Sequence, residues 1–360
     1  MSLSVTLAMA ALFPAAPTTA AEPSRRMLAW MPGEVRCAGK PVPATLWRRP
    51  YAGLFYGGDM PQPVTFRFRI DTSGRALSIA RDGTRFAMLS DDIGPSLAAS
   101  RFPTGDALRD CTVTYAPRIT APAETPTPDL ISYTLNPTNG SLPQEGWAAI
   151  FPAAATCDDE PRPAPLVQAY PDFDRVPGTP GVRDWTMFSY DLDARGRPVK
   201  VQVLTGTGNR ALDTAGARAL RRSRYTGGPR TGCRFPFRKP PAIMPAPAIP
   251  ETTTLGPLQP PPACAADWVS KPPLRYPDPY RRRSIEGWAV IAFDVAPWGG
   301  TGNVRVLASE PAAEFGESAA ALIRDARRPA SATGITGCVE RVRYVMGRPG
   351  LDPNAEVASP

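Results

Sequence analysis

The residues of this sequence with the plainest chemistry are its cysteines, at positions 37, 111, 157, 233, 264 and 338. Their gaps alternate long and short: Cys37 and Cys111 stand 74 apart, Cys157 and Cys233 76, and Cys264 and Cys338 74. Six thiols allow 15 pairings, and this rhythm favours the one that closes each long gap as a loop. Each such disulfide would close a loop of about 75 residues, worth roughly 4.5 kcal/mol through the lost entropy of the unfolded chain. Six buried free thiols are the plainer alternative, and the even count and periodic spacing speak against them.

The chain contains no histidine. That removes the commonest general base, the Ser-His and Cys-His nucleophile pairs and the commonest zinc ligand. No G-x-S-x-G, P-loop, C-x-x-C or calcium-loop run of carboxylates is present either. A hydrolase would need a Ser/Lys or carboxylate pair meeting in a pocket. The preferred reading is a protein that is not an enzyme, with no catalytic, cofactor-binding or metal-binding residues.

The elements that hold the cysteines follow from composition and repetition. Residues 1–21, MSLSVTLAMAALFPAAPTTAA, carry no charge and hold an apolar core from Leu3 to Leu12, followed by Pro14 and Pro17. That core is short for a spanning helix, and Thr19 and Ala21 suit peptidase cleavage, so the stretch reads as a secretory signal peptide. An uncleaved inner-membrane anchor is the alternative. Export agrees with disulfides. The 46 prolines cluster, which predicts spacers between folded pieces. Net charge is +8, but the arginines are scattered and no aromatic platform interleaves them, which argues against nucleic-acid binding.

Between each pair of cysteines the same order recurs. An alternating run ends in a turn, as FRFRIDTSG, FSYDLDARG and IAFDVAPWGG, with Gly74, Gly196 and Gly299 available for a positive φ. A second strand follows, clearest in RPVKVQVLTG and GNVRVLASE. Then comes a helix, with Phe315, Ala319, Leu322, Ile323 and Ala326 on one face in the third unit. Leu212, Gly216, Ala219, Leu220 and Ser223 repeat that register in the second, and Leu89, Ile93, Ser96, Leu97 and Ser100 in the first. The signatures ASRF, RSRY and DARR close the helices, and the second cysteine of each pair leads a last extended run. The fold class is therefore α+β: three tandem small domains, each an antiparallel sheet of about three strands with a helix on one face, joined by Pro-rich linkers. The expected layout is a signal peptide at 1–21, a first unit at 37–115, a Pro/Thr-rich linker at 116–156, a second unit at 157–239, a Pro-rich linker at 240–263, a third unit at 264–348 and a tail at 349–360. The linker at 240–263 should favour polyproline II and hold units two and three up to about 75 Å apart if fully extended.

The third unit resembles the TonB C-terminal domain family over residues 274–346. The resemblance rests on LRYPDPYRRRSIEGWAVIAFDV, the second strand GNVRVLASEP and the helix FGESAAALIRDARRPA, in that order. The second unit looks like a degenerate copy, keeping Tyr170-Pro171 and Trp185; the first, with Pro95 inside its helix, is recognised through the internal repeat alone. The resemblance implies a periplasmic domain that binds short extended segments of outer-membrane receptors by adding a strand to a sheet edge. The family's transducers also carry an N-terminal spanning helix, where this chain has an apparent signal, and they lack a cysteine pair of this kind.

Trp288 and Phe293 are expected in the core. Arg281, Arg282 and Arg283 are expected to face solvent, and Arg324, Arg327 and Arg328 to stabilise a helix C-terminus. QEGWAAIFP, at 144–152, is expected as linker or a packing patch. The candidate functional surface is the last strand, whose edge offers backbone donors and acceptors to an extended peptide. Pro236 breaks it in the second unit and the run reads as short in the first, so the predicted partner-binding edge is Val339, Glu340, Arg341, Val342, Arg343 and Tyr344. The expected function is recognition of an envelope-protein partner, such as an outer-membrane receptor segment, linked to TonB-type transport. The alternative is a structural envelope protein that contacts cell wall or membrane through its arginines.

Overall fold

The computed structural model describes residues 25–83, 87–250, 252–255 and 261–347; the predicted signal peptide and tail lie outside them. The first unit opens with β1 (Arg26–Pro32), the short β2 (Arg36–Cys37) and β3 (Lys40–Pro41), and β4 (Gly53–Phe55). The hairpin β5 (Val64–Ile70) and β6 (Ala76–Arg81), helix α1 (Ile93–Ala99) and last strand β7 (Leu108–Thr120) complete it. Alternation works as expected in β5, where Val64, Phe66, Phe68 and Ile70 are buried. Leu89 stands outside α1, because its φ of 56° is incompatible with the helix.

Residues 116–156, read as linker, hold α2 (Thr127–Leu135) and α3 (Gln144–Ile150). The second unit comprises β8 (Pro165–Val167), β9 (Asp184–Leu192), β10 (Pro198–Gly206), α4 (Arg210–Arg222), β11 (Arg224–Tyr225) and β12 (Arg230–Lys239). The third comprises α5 (Asp278–Arg282), β13 (Gly287–Val295), β14 (Thr301–Glu310), α6 (Ala313–Asp325) and β15 (Ile335–Tyr344). Their sheets run β10-β9-β12 and β14-β13-β15, all antiparallel, and β6-β5-β7 is the counterpart in the first unit. The mixed helices and antiparallel sheets are the α+β class expected. Disulfides join Cys37 to Cys111, Cys157 to Cys233 and Cys264 to Cys338, one within each unit.

One backbone device explains the repeated signature after each helix. Gly74, Gly196 and Gly299 all have positive φ, and a Cβ on any of them would fall within 2.2 Å of the carbonyl oxygen of Phe102, Tyr225 or Arg328 respectively. Those three residues end ASRF, RSRY and DARR. Each donates its amide to the glycine carbonyl at 2.9 Å, locking the hairpin turn to the exit of the helix. Only glycine combines that φ with so close an approach.

The units are not spaced beads. One apolar core runs through the first and third, with Ile93 and Leu97 of α1 in the same cluster as Phe315, Ala319 and Ile323 of α6. Ile79 donates its amide to Pro311 at 2.9 Å, and buried Glu310 accepts from Arg69 and from the amide and hydroxyl of Ser78. The 240–263 linker does not hold the second and third units apart. Met244 is buried in the shared core and bonds through its backbone to Ser284 and Glu286 on either side of Ile285. Pro245 and Pro247 offer carbonyls to Arg75 and to the indole of Trp288.

Arg283 sits where the three units meet and is 1% exposed, which corrects the expectation of a solvated side chain. Its Nε and Nη2 donate to the two oxygens of Asp92 at 2.7 and 2.5 Å. Further bonds reach the carbonyls of Arg49 (3.0 Å) and Gly181 (3.3 Å), and the guanidinium lies 4.2 Å from the centre of the Tyr51 ring. Burial alone disfavours the charged form, but the Asp92 carboxylate more than reverses this and raises the Arg283 pKa.

Removing one partner of such a pair strands a charge in the interior. Asp92→Ala should therefore destabilise the chain by about 3–5 kcal/mol in urea unfolding, and the double change Asp92→Leu with Arg283→Met should recover most of it. A loss under about 1 kcal/mol, the value of a surface pair, would contradict this placement.

The seam between the first and third units also contains Glu314, which burial pushes up to about 7 against the lowering effects of its own backbone amide and Tyr280, with Glu317 adding to the rise. The folded state thus holds this proton more tightly than the unfolded chain. Its contribution is full below the ordinary glutamate pKa and is lost as pH rises through about 7. Because the side chain keeps some solvent contact, stability should fall by about 1–2 kcal/mol between pH 5 and pH 8, and Glu314→Gln should flatten that slope in pH-dependent denaturation.

Candidate functional site

The predicted edge lies in β15, which pairs with β13 from Gly287 opposite Tyr344 to Phe293 opposite Cys338. Alternation puts Cys338, Val342 and Tyr344 inside and Arg341 and Arg343 in solvent, with Val339 and Glu340 intermediate. Tyr344 anchors the inner face. Its hydroxyl donates to the Phe315 carbonyl at 2.9 Å, and its ring packs edge-on against Phe315 and Tyr276. Burial pushes its pKa up to about 12, so it stays a donor.

The segment ahead of α5 braces the same strand. Cys264 is bonded to Cys338, and Lys271 pairs with Glu340 at 3.0 Å. Arg328 reaches Glu340 at 3.5 Å while its guanidinium sits 3.7 Å from the centre of the Trp268 ring, which stacks on Phe293. Arg328 is buried, so the expected helix-end role gives way to a cation held between a ring and a carboxylate. Trp288 and Phe293 are buried as expected. At the two ends of β15, Asp294 accepts from the Gly337 amide and Glu286 from the Met346 amide. Hydrogen bonds from Asn303 and from that Gly337 amide hold the Asp294 carboxyl below the usual range.

On its outer side β15 pairs with no strand among the described residues. The first unit shows the same edge filled. There β5 meets β7 in the register that β13 keeps with β15: Phe68 faces Cys111 as Phe293 faces Cys338, and Val64 faces Tyr115 as Ala289 faces Val342. The far side of β7 is covered by its own chain. β1 lies antiparallel from Met27 opposite Thr120 to Pro32 opposite Tyr115, Gly33 donates to the Thr114 carbonyl at 2.9 Å, and β2 pairs Cys37 with Cys111. The first unit's run is thus not short. β7 spans 13 residues, because β1 extends the ladder past Pro117.

The sequences ahead of the two units differ. Ahead of Cys37 the chain reads Met27-Leu28-Ala29-Trp30-Met31; ahead of Cys264 it reads Pro257, Leu258, Gln259, Pro260, Pro261, Pro262. Prolines have no N–H to give a ladder, and β1 holds only Pro32, at its end. In the second unit Pro236 sits within β12 as expected, and the equivalent approach by Thr156 is limited to bonds with Thr231.

The bracing set Lys271, Trp268 and Arg328 was not anticipated as a group. Its one legible signal is the tryptophan and lysine between Cys264 and Tyr276, where the family-like stretch begins. QEGWAAIFP forms α3, whose Ile150 joins a second core with Leu130, Met27 and, from the second unit, Trp185 and Met187.

Residues 272–344 match the family described as Gram-negative bacterial TonB protein C-terminal. The match begins ahead of α5 and ends with β15, so the third unit is a TonB C-terminal domain. This supports a TonB-like, envelope-associated protein-interaction role. No curated protein matches the chain. No helix among the described residues is long and apolar enough to cross a membrane.

An edge paired on one side only should be visible in hydrogen exchange. Among amides 339–344 those directed away from β13 should exchange far faster than their counterparts in β7, which is paired on both sides. Equal protection in the two strands would contradict an open edge.

Proposed function

We propose that the third unit binds extended segments of periplasmic or outer-membrane proteins along the outer edge of β15, at Val339–Tyr344, and that the chain works as a non-enzymatic binding protein of the periplasm. One observation carries this reading: the edge that the first unit fills with its own β1 is, among the described residues, without a paired strand in the unit that matches the TonB C-terminal family. Main-chain hydrogen bonds would supply affinity, and side chains on alternate positions specificity. The first unit, with its edge closed, acts in this reading as a support for the third through their shared core. A link to TonB-type transport follows if the bound segment belongs to an outer-membrane receptor.

The arginine-based alternative is less well supported, since Arg283 and Arg328 are buried and Arg69, Arg49 and Arg118 are engaged in ion pairs. A photoreactive residue at Val339 or Arg343 of the full-length protein, expressed in a Gram-negative host, should form adducts with an extended segment of an envelope protein, and one at Arg218 on α4 should not. Adducts from Arg218 in the absence of any from β15 would refute the assignment.

A further inference from the structure

The two faces of the second unit's sheet are covered differently. Along β9, Phe188, Tyr190 and Leu192 pack with Leu212, Ala219 and Leu220 of α4, while Trp185 and Met187 join Leu130 of α2 and Ile150 of α3. Helices α2 and α3 thus roof the face that α4 leaves free. The roof does not close. Between the start of α2, the end of α3 and the sheet lies a cleft of about 270 Å³. Ile150, Phe151 and Leu204 give it apolar walls, and its polar residues are Thr127, Thr205 and Arg234. Arg234 borders the cleft because it stands opposite Ser189, on the same side of β9 as Met187.

The Arg234 guanidinium is half-buried and has no counter-charge. Its Nε finds no acceptor among the described residues, and burial pushes its pKa down with no carboxylate to offset the shift. Arg283 is the opposite case, since Asp92 raises its pKa despite complete burial. Arg118, Arg230 and Arg328 also have a buried Nε without an acceptor, yet each donates through another nitrogen, to Asp129, Pro161 and Glu340 respectively. Among the described residues Arg234 has no such second bond. A cation partly withdrawn from water gains most from an anion that arrives with a ligand.

We propose that this cleft binds a small organic carboxylate carrying an apolar group about the size of a leucine side chain. The carboxylate would sit on the Arg234 guanidinium and the apolar group against Ile150, Phe151 and Leu204. Size follows from volume: the cleft is at the small end of ligand pockets, so it holds one such group and not an extended ligand. A free branched acid and the C-terminal residue of a peptide share this chemistry. The site lies in the second unit and does not depend on the β15 edge.

The test uses the full chain with labelled isoleucine and leucine methyl groups, followed by nuclear magnetic resonance. The titrants are isocaproate, its amide, and acetyl-alanyl-leucine with a free or an amidated C-terminus. Shifts should centre on the methyls of Ile150 and Leu204, and each acid should bind about tenfold tighter than its amide, as a hydrogen-bonded ion pair allows. Arg234→Gln should reduce the acids to the affinity of the amides, and Arg234→Lys, which keeps the charge, should retain part of the difference. Isocaproate binding at least as tightly as the peptide acid assigns the site to free acids; tighter binding of the peptide acid assigns it to chain termini. Equal affinities of acid and amide, shifts confined to other methyls, no binding of either acid, or an unchanged affinity in Arg234→Gln would overturn the inference.

Discussion

A guanidinium withdrawn from water must find a counter-charge and acceptors for its donors, and Arg283 finds them in pieces of chain that are far apart in sequence. Asp92 supplies both oxygens, and Arg49 and Gly181 supply carbonyls. Satisfying this one side chain therefore fixes the third unit against the first and brings the second to the junction. The geometry that aligns α5 also sets Tyr280 against Phe315, at the base of the helix that carries β15's inner face. The interaction is costly to assemble and costlier to leave half-made, which gives the arrangement specificity rather than simple strength.

Three copies of one small α+β unit meet the same difficulty, an unpaired outer edge on the last strand, and each meets it differently. The first adds its own β1. The second has a proline within the strand and lets only a short stretch of chain approach. The third pairs its outer edge with no strand among the described residues, and it braces β15 from the inner face through Cys264, Trp268, Lys271 and Tyr276. In the proposed function, a firmly braced strand whose outer edge no described strand pairs would present a preorganised backbone, which lowers the ordering cost of binding an extended partner. The apolar core shared with the closed first unit adds to that rigidity.

Much of this was legible in the sequence, because the signals were local and repeated. The cysteine rhythm, the turn glycines and the helical faces of α4 and α6 each depend on spacing within one unit. The contacts between units were not legible. Nothing local distinguishes Arg283 from Arg281 and Arg282, yet the first is buried while Arg281 pairs at the surface with Asp278 and Arg282 with Asp91. β1 was missed as part of the first unit because it lies ahead of the first cysteine, and its pairing with β7 spans most of that unit. The proline-rich 240–263 stretch looked like a spacer by composition. Its docking depends on Met244 reaching an apolar site built by other units.

The central claim is that the third unit alone keeps a working strand edge. The most direct measurement is amide hydrogen exchange on the full chain, first free and then saturated with the envelope segment recovered by cross-linking. The account predicts new protection at alternate amides between Val339 and Tyr344, with β7 and β12 unchanged. Protection that appears in β7 or β12 and not in β15 would contradict it.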